Sequence, residues 1–403
     1  MLAASAHAHA PLPRVVRSEG GHVAVSLPGF GMVVRGAEGE RFKYACDALL
    51  DTPLSNTPPA LALRPDGTLL IGSYDGLRAM GRDGCPRTLD GALRGEPIYA
   101  LAQDGATMFA FAGDGVWRSQ DAGDTWELRS PFTSGGLVTG LVLADGTLYA
   151  SQGARVLVST DEGASFTAST PERAVTLLAV DDGLWALGRT AMPVGNRGYE
   201  IWRAPTAEGP WRSLLTLNYF GGLAIDAAGT VWVGDEGGGL HRSLDGETFT
   251  NVAPRFFPSC LQAEGERVYA CNEDLPSVPA LYLASAEAQT GVLTLSEVDA
   301  MVACEGVDRL CATAWVEWQR DVLLRQLLPD GGVFNPDASV PADAGAPPSD
   351  AGIAVDASVS ADASVSADAG MTRDKDGCAL GSGSGGGWLA LLLAARRRKL
   401  QRA

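Results

Sequence analysis

The sequence predicts an all-β chain folded as a seven-bladed β-propeller. Three observations carry that prediction: a turn block that returns about every forty residues, Asp-Gly turns between short apolar runs, and no amphipathic helix evident from Val15 to Leu328. The block is clearest at Ser119-Gln-Asp-Ala-Gly-Asp-Thr-Trp126, between the strand-like runs Val116–Arg118 and Glu127–Arg129. There Asp121 is placed to accept backbone N–H groups just ahead of it, and Gly123 supplies the positive φ of a tight reversal. Thr125 and Trp126 then begin a strand. The block recurs as Ser159, Asp161, Gly163 and Phe166, and, one residue shorter, as Ser243, Asp245 and Phe249. Between these, Ala204-Pro-Thr-Ala-Glu-Gly-Pro-Trp211 keeps the glycine and the aromatic but lacks the Ser and Asp. Trp126, Phe166, Trp211 and Phe249 follow one another at 40, 45 and 38 residues, a period that suits one four-stranded blade.

This block resembles the Asp-box, or BNR repeat, S-x-D-x-G-x-T-W, of sialidases, sortilin-type receptors, some glycoside hydrolases and photosystem II assembly factors. Residues 119–126 match each consensus position, residues 159–166 match with Ser for Thr and Phe for Trp, and the other copies are degenerate. In that family the box is a structural hairpin on the face away from the ligand. The resemblance therefore implies that Asp121, Asp161 and Asp245 cap turns and do not catalyse.

The elements follow in order. Each a–b hairpin carries a turn signal: Pro65–Thr68, Asp104–Ala106, Asp145–Thr147, Asp182-Gly183, Ala228–Thr230 and Glu264-Gly265. Blades are thus expected to begin near Thr57, Pro97, Leu137, Ala174, Phe220 and Pro258. Their first strands are small and apolar, as in Gly140–Leu143 and Gly222–Ile225, which suits a crowded axis. Strand-like remnants stand at both ends: His22–Ser26, Gly31–Val34 and Arg41–Cys46, then Met301–Cys304, Leu310–Ala314 and Val322–Leu324. Joined, they complete a seventh blade and close the ring without exposed edges. The remnants outnumber one blade's strands, so eight blades stay open.

Composition sets bounds on the work. The 403 residues carry a net charge of −17, which argues against a grip on nucleic acid or anionic lipid by the main body. Four histidines and the lack of any C-x-x-C pair argue against a metal site, and nothing calls for a cofactor. Of seven cysteines, Cys46, Cys85, Cys260, Cys271, Cys304 and Cys311 lie in the repeat region and suit disulfides in an exported chain. Cys260 with Cys271, and Cys304 with Cys311, each flank an expected hairpin. Local pairing would leave Cys46 with Cys85, though any of the fifteen pairings of six cysteines stays open. Residues 1–10 end in Ala8-His9-Ala10, an A-x-A pattern that reads as the end of a signal peptide or as an Ala-rich terminus.

The propeller is read over residues 11–330. Residues 331–373 are an Ala/Ser/Asp-rich linker, with Asp337, Asp343, Asp350, Asp356, Asp362 and Asp368 spaced by six or seven, too polar to bury a core. Residues 374–403 hold Cys378, the apolar Trp388–Ala395 and the basic Arg396–Lys399. The uncharged Gly377–Ala395 would span ~28 Å as a helix, enough for a bilayer, with the basic cluster cytoplasmic. The combination resembles the MYXO-CTERM sorting tail of myxobacterial surface proteins. That resemblance implies processing near Cys378 and display at the cell surface; the alternative is a plain membrane helix.

With the boxes on the c–d turns, the b–c and d–a loops form the opposite face, where binding on a rigid scaffold usually resides. The long loops 189–200 and 272–279 and three short acidic ones supply the candidates Asp75, Asp114, Arg197, Tyr199, Glu200, Asp235, Glu236, Glu273 and Asp274. These are also ordinary turn residues. No arginine motif near the start matches a sialidase's first arginine, and neither His22 nor His241 suits a Ser/His/Asp triad. The expectation is a monomeric, envelope-anchored module that binds a protein or glycan through its loop-rich face. The alternative is a glycoside hydrolase or sialidase-like enzyme.

Overall fold

The computed structural model describes Pro13 and residues 15–50, 59–64, 66–113, 115–131, 138–153, 155–169, 175–189, 198–272, 279–285 and 288–326. The readings made on residues 1–10, on the linker and on the tail with Cys378 lie outside them.

Seven four-stranded antiparallel sheets occur among the described residues, each built from consecutive strands. Blade 1 is β1 (Val15–Glu19), β2 (His22–Leu27), β3 (Gly31–Arg35) and β4 (Lys43–Cys46). Blade 2 is β5 (Leu61–Leu63), β6 (Leu69–Ser73), β7 (Gly76–Met80) and β8 (Pro86–Thr88). Blade 3 is β9 (Ile98–Asp104), β10 (Thr107–Ala112), β11 (Gly115–Ser119) and β12 (Glu127–Pro131). Blade 4 is β13 (Val138–Ala144), β14 (Thr147–Gln152), β15 (Arg155–Ser159) and β16 (Thr167–Ser169). Blade 5 is β17 (Val175–Val180), β18 (Leu184–Arg189), β19 (Tyr199–Ala204) and β20 (Arg212–Leu217). Blade 6 is β21 (Phe220–Ile225), β22 (Val231–Asp235), β23 (Gly239–Ser243) and β24 (Thr250–Ala253). Blade 7 is β25 (Pro258–Glu264), β26 (Arg267–Asn272), β27 (Leu281–Ala284) and β28 (Gln289–Leu293).

The predicted a–b turns fall between the first two strands of blades 2 to 7. At Asp145-Gly146 both residues take positive φ, 49° and 74°, the geometry a two-residue hairpin demands. Second strands are buried along most of their length, for example Leu69–Ser73 and Val231–Asp235. Each first strand packs beside the next, and β25 beside β1, which closes the ring. Small residues permit this closeness: a Cβ on Gly222 would stand 2.6 Å from the Leu261 amide nitrogen. Arg17 ties the closure, its Nε donating to Leu61 O in blade 2 and its Nη1 to Gln262 Oε1 in blade 7, both at 3.1 Å.

The ends differ from expectation. All four strands of blade 1 come from the N-terminal segment, so the blade is not shared between the termini and the ring has seven blades. The predicted strand Met301–Cys304 reduces to one parallel bridge, Met301 beside Tyr44. Here Tyr44 N–H donates to Ala300 O at 3.0 Å and Val302 N–H to Tyr44 O at 2.9 Å, covering the outer edge of β4. The remaining C-terminal runs are not strands but one helix. After α1 (Asp47–Leu50), α2 (Val307–Gln326) lays Val307, Cys311, Trp318 and Val322 against blade 1, a face that repeats every three or four residues. Trp318 and Trp315 stack on Tyr44, with ring centroids 4.7 and 5.7 Å away. No helix among the described residues is long and apolar enough to cross a membrane.

All six cysteines pair. Cys260–Cys271 is local, as expected, across opposed residues of β25 and β26. The other two pairings correct the local reading: Cys46 bonds Cys311 and Cys85 bonds Cys304, 265 and 219 residues apart. Cys304 and Cys311 do not flank a hairpin; they bracket the start of α2 and staple it to blades 1 and 2.

Candidate functional site

The recurrent c–d turns build one face of the ring. Ser119 Oγ accepts from the Gly123 amide at 2.7 Å and shares a 2.7 Å bond with Asp121, while Thr125 N–H donates to Asp121 Oδ1 at 2.8 Å. Trp126 Nε1 closes the loop on Gly123 O at 3.0 Å. Ser159, Asp161, Gly163 and Ser165 repeat the pattern, and Ser243 and Asp245 keep its core. Trp126 is half-buried among Leu89 and Leu101, and Phe166 and Phe249 likewise pack against their own clusters. Each turn also seats on the preceding blade. A Cβ on Gly123 would meet Leu70 of blade 2, and one on Gly163 would meet Val116 of blade 3.

Arginines clasp these seams. Arg64 reaches Asp124 at 3.0 Å, Arg118 reaches Glu162 at 2.6 Å, and Arg203 reaches Glu247 at 3.6 Å while covering the Trp185 ring at 4.9 Å. Sequence reasoning missed this set, although for two of the three an arginine directly before the turn, Arg118-Ser119 and Arg203-Ala204, was the visible mark.

The opposite face carries the loops, and blade 6 contributes one braced by Asp235. Asp235, buried at the end of β22, accepts from the amides of Asn218 at 3.1 Å, Tyr219 at 3.0 Å and Gly237 at 3.0 Å. Its carboxylate therefore braces the loop from blade 5 and is not presented to a ligand. Glu236 N–H donates to Tyr219 O at 3.2 Å, and a Cβ on Gly237 would approach Tyr219 Cδ2 to 3.4 Å. Tyr219 is thereby held 57 % exposed. On the other side Phe257, 41 % exposed, precedes Pro258, whose ring lies against Gly234. Tyr219, Glu236 and Asn218 thus gather around one short loop, and Phe257 is exposed in the next d–a loop, beside Pro258. Asn218, Tyr219 and Phe257 were not among the predicted residues; their signal was bulky apolar surface in the d–a loops.

The other candidates do not join them. Asp75 lies exposed between β6 and β7, its carbonyl accepting from Gly95 N–H at 3.0 Å. Tyr199 and Glu200 belong not to a loop but to β19, paired with Leu217 and Thr216, and Tyr199 packs among Leu187 and Leu215. Asp114, Arg197, Glu273 and Asp274 lie outside the described residues. No group of three or more possible metal ligands occurs among the described residues.

No family model matches the chain, and no curated protein does. Among solved structures it is similar to PorZ, a bacterial surface component of the type-IX secretion system of Porphyromonas gingivalis, at 15% identity and a TM-score of 0.50. The match covers 70% of this chain and 38% of PorZ, so the chain spans well under half of that protein. Virginiamycin B lyase from Staphylococcus aureus aligns at 16% identity and TM-score 0.49, over 65% of this chain and 92% of its own. An ancestral GH74 enzyme aligns at 13% and 0.49, over 68% and 45%. At these identities the likeness to PorZ is one of fold.

Proposed function

We propose that this propeller is an exported, Asp-box-type module that binds a protein or glycan through its loop-rich face, centred on the Asn218–Tyr219, Glu236 and Phe257 loops. The observation that carries the reading is Asp235. A buried carboxylate that accepts three backbone amides fixes an exposed tyrosine in place, so little order has to be acquired on binding. Aromatic anchors held rigidly at a surface are what hot spots are made of. Three disulfides support export, since such bonds persist outside the cytosol. The Ser, Asp and Gly hydrogen bonding of the turns supports the Asp-box assignment, and the Cys378, apolar and arginine series supports anchoring at the envelope, where we take the protein to act as a monomer.

The test uses the purified protein on glycan and surface-protein arrays, together with a panel of glycosidase substrates. Tyr219→Ala should weaken capture about tenfold or more, as loss of an anchor does, and leave the melting temperature unchanged. Turnover of a glycoside that Glu236→Gln abolishes would replace this reading with the hydrolase one.

A further inference from the structure

The seam between blades 4 and 5 differs from its neighbours on either side, 3–4 and 5–6. Blades 2, 3 and 5 each extend an arginine to the following turn, but at the position of Arg118 and Arg203 blade 4 carries Val158. The turn it faces, Ala204–Trp211, is the copy without Ser and Asp. The two losses meet at one place, and there a cleft of about 310 Å³ opens, lined by Tyr149, Val158, Thr160, Thr167, Thr206 and Glu208 among others. Its floor is firm: Ala207 is buried, and its carbonyl accepts from Ser169 Oγ at 2.8 Å and from Trp211 Nε1 at 3.4 Å.

We infer that this cleft is a second binding site, on the turn face, for a neutral mono- or disaccharide unit. The volume lies at the lower end of small-ligand pockets, the size of one or two sugar rings. Tyr149 offers a ring for an apolar sugar face, three threonine hydroxyls donate and accept, and Glu208 accepts from ligand hydroxyls. Among the described residues no Lys or Arg lines the cleft and the one charge there is negative, so an anionic sugar is disfavoured. At the seams after blades 2, 3 and 5, by contrast, an arginine reaches across to the following turn.

The test is calorimetric titration of the full-length protein with glucose, N-acetylglucosamine, maltose and cellobiose, and with N-acetylneuraminic acid as the anionic control. At least one neutral sugar should bind, Tyr149→Ala should weaken it about tenfold or more, and N-acetylneuraminic acid should not bind. Val158→Arg restores the arginine opposite Glu208, so it should fill the cleft and abolish binding with the fold intact. If that variant fails to fold, Thr206→Arg on the exposed turn fills the same space. Tyr219→Ala, on the other face, should leave the affinity unchanged. The inference is overturned if no neutral sugar saturates by about 10 mM, if binding survives a filled cleft, or if the acidic sugar binds equally well.

Discussion

Asp121 and Asp161 show how single residues hold a turn. Both titrate at about 2 in the folded chain. For Asp121, burial pushes the carboxyl up, but bonds from Thr125 and Ser119 outweigh it; for Asp161, bonds from Ser165 and Ser159 dominate. In the unfolded chain an aspartate titrates near 3.9. A depressed folded pKa stabilises fully above the unfolded value, and that contribution is lost as pH falls from about 4 to about 2. An Asp121→Asn/Asp161→Asn variant should therefore melt a few degrees below wild type at pH 7 and nearly level with it at pH 2, read by circular dichroism. A gap independent of pH would show that the carboxylates do not act through their charge. Trp126 acts through packing instead. Since it is only half-buried, Trp126→Ala should cost about 2–3 kcal/mol, below the range of a fully buried tryptophan, and denaturant titration measures it.

At the scale of elements, blades 2 to 7 were legible because each hairpin announces itself locally. Asp145-Gly146 or Asp104-Gly105 needs only its own backbone to choose a turn, and alternating apolar residues set the register. The C-terminal segment was misread because Leu310–Ala314 and Val322–Leu324 are short apolar runs that suit strand or helix alike. The discriminating signal was the longer row Val307, Cys311, Trp318 and Val322, with a helical period, and it needs blade 1 as its partner. Cysteine pairing was illegible for a related reason: Cys46–Cys311 and Cys85–Cys304 join distant residues that only the closed ring makes neighbours. Of the candidate site, the acidic loop Asp235-Glu236 could be read, but not that Asp235 is occupied by three amides. Thiol counting under denaturing conditions should find none of the six cysteines free, and two or more reactive thiols would refute full pairing. Removing the Cys46–Cys311 bridge by Cys46→Ser/Cys311→Ser should cost roughly 4–5 kcal/mol, because the loop it closes is long.

At the scale of the whole molecule, the staples have a further consequence if the tail anchors the protein. A pull on the C-terminus would be carried through α2 and two long-range disulfides into blades 1 and 2, and not into the outer edge of blade 7. On that reading, a linker whose charges are almost all acidic would lie outside and the arginine cluster inside, which would set the orientation of such an anchor. Deleting residues 377–403 should therefore release a folded, disulfide-bonded propeller into the medium. Cys378→Ser should leave export intact and block the final anchoring step, as the sorting-tail resemblance implies. Fractionation of cells and medium, with the size of each product, reads both variants at once. A Cys378→Ser protein anchored and sized like wild type would make the tail a plain membrane helix, with Cys378 outside its mechanism.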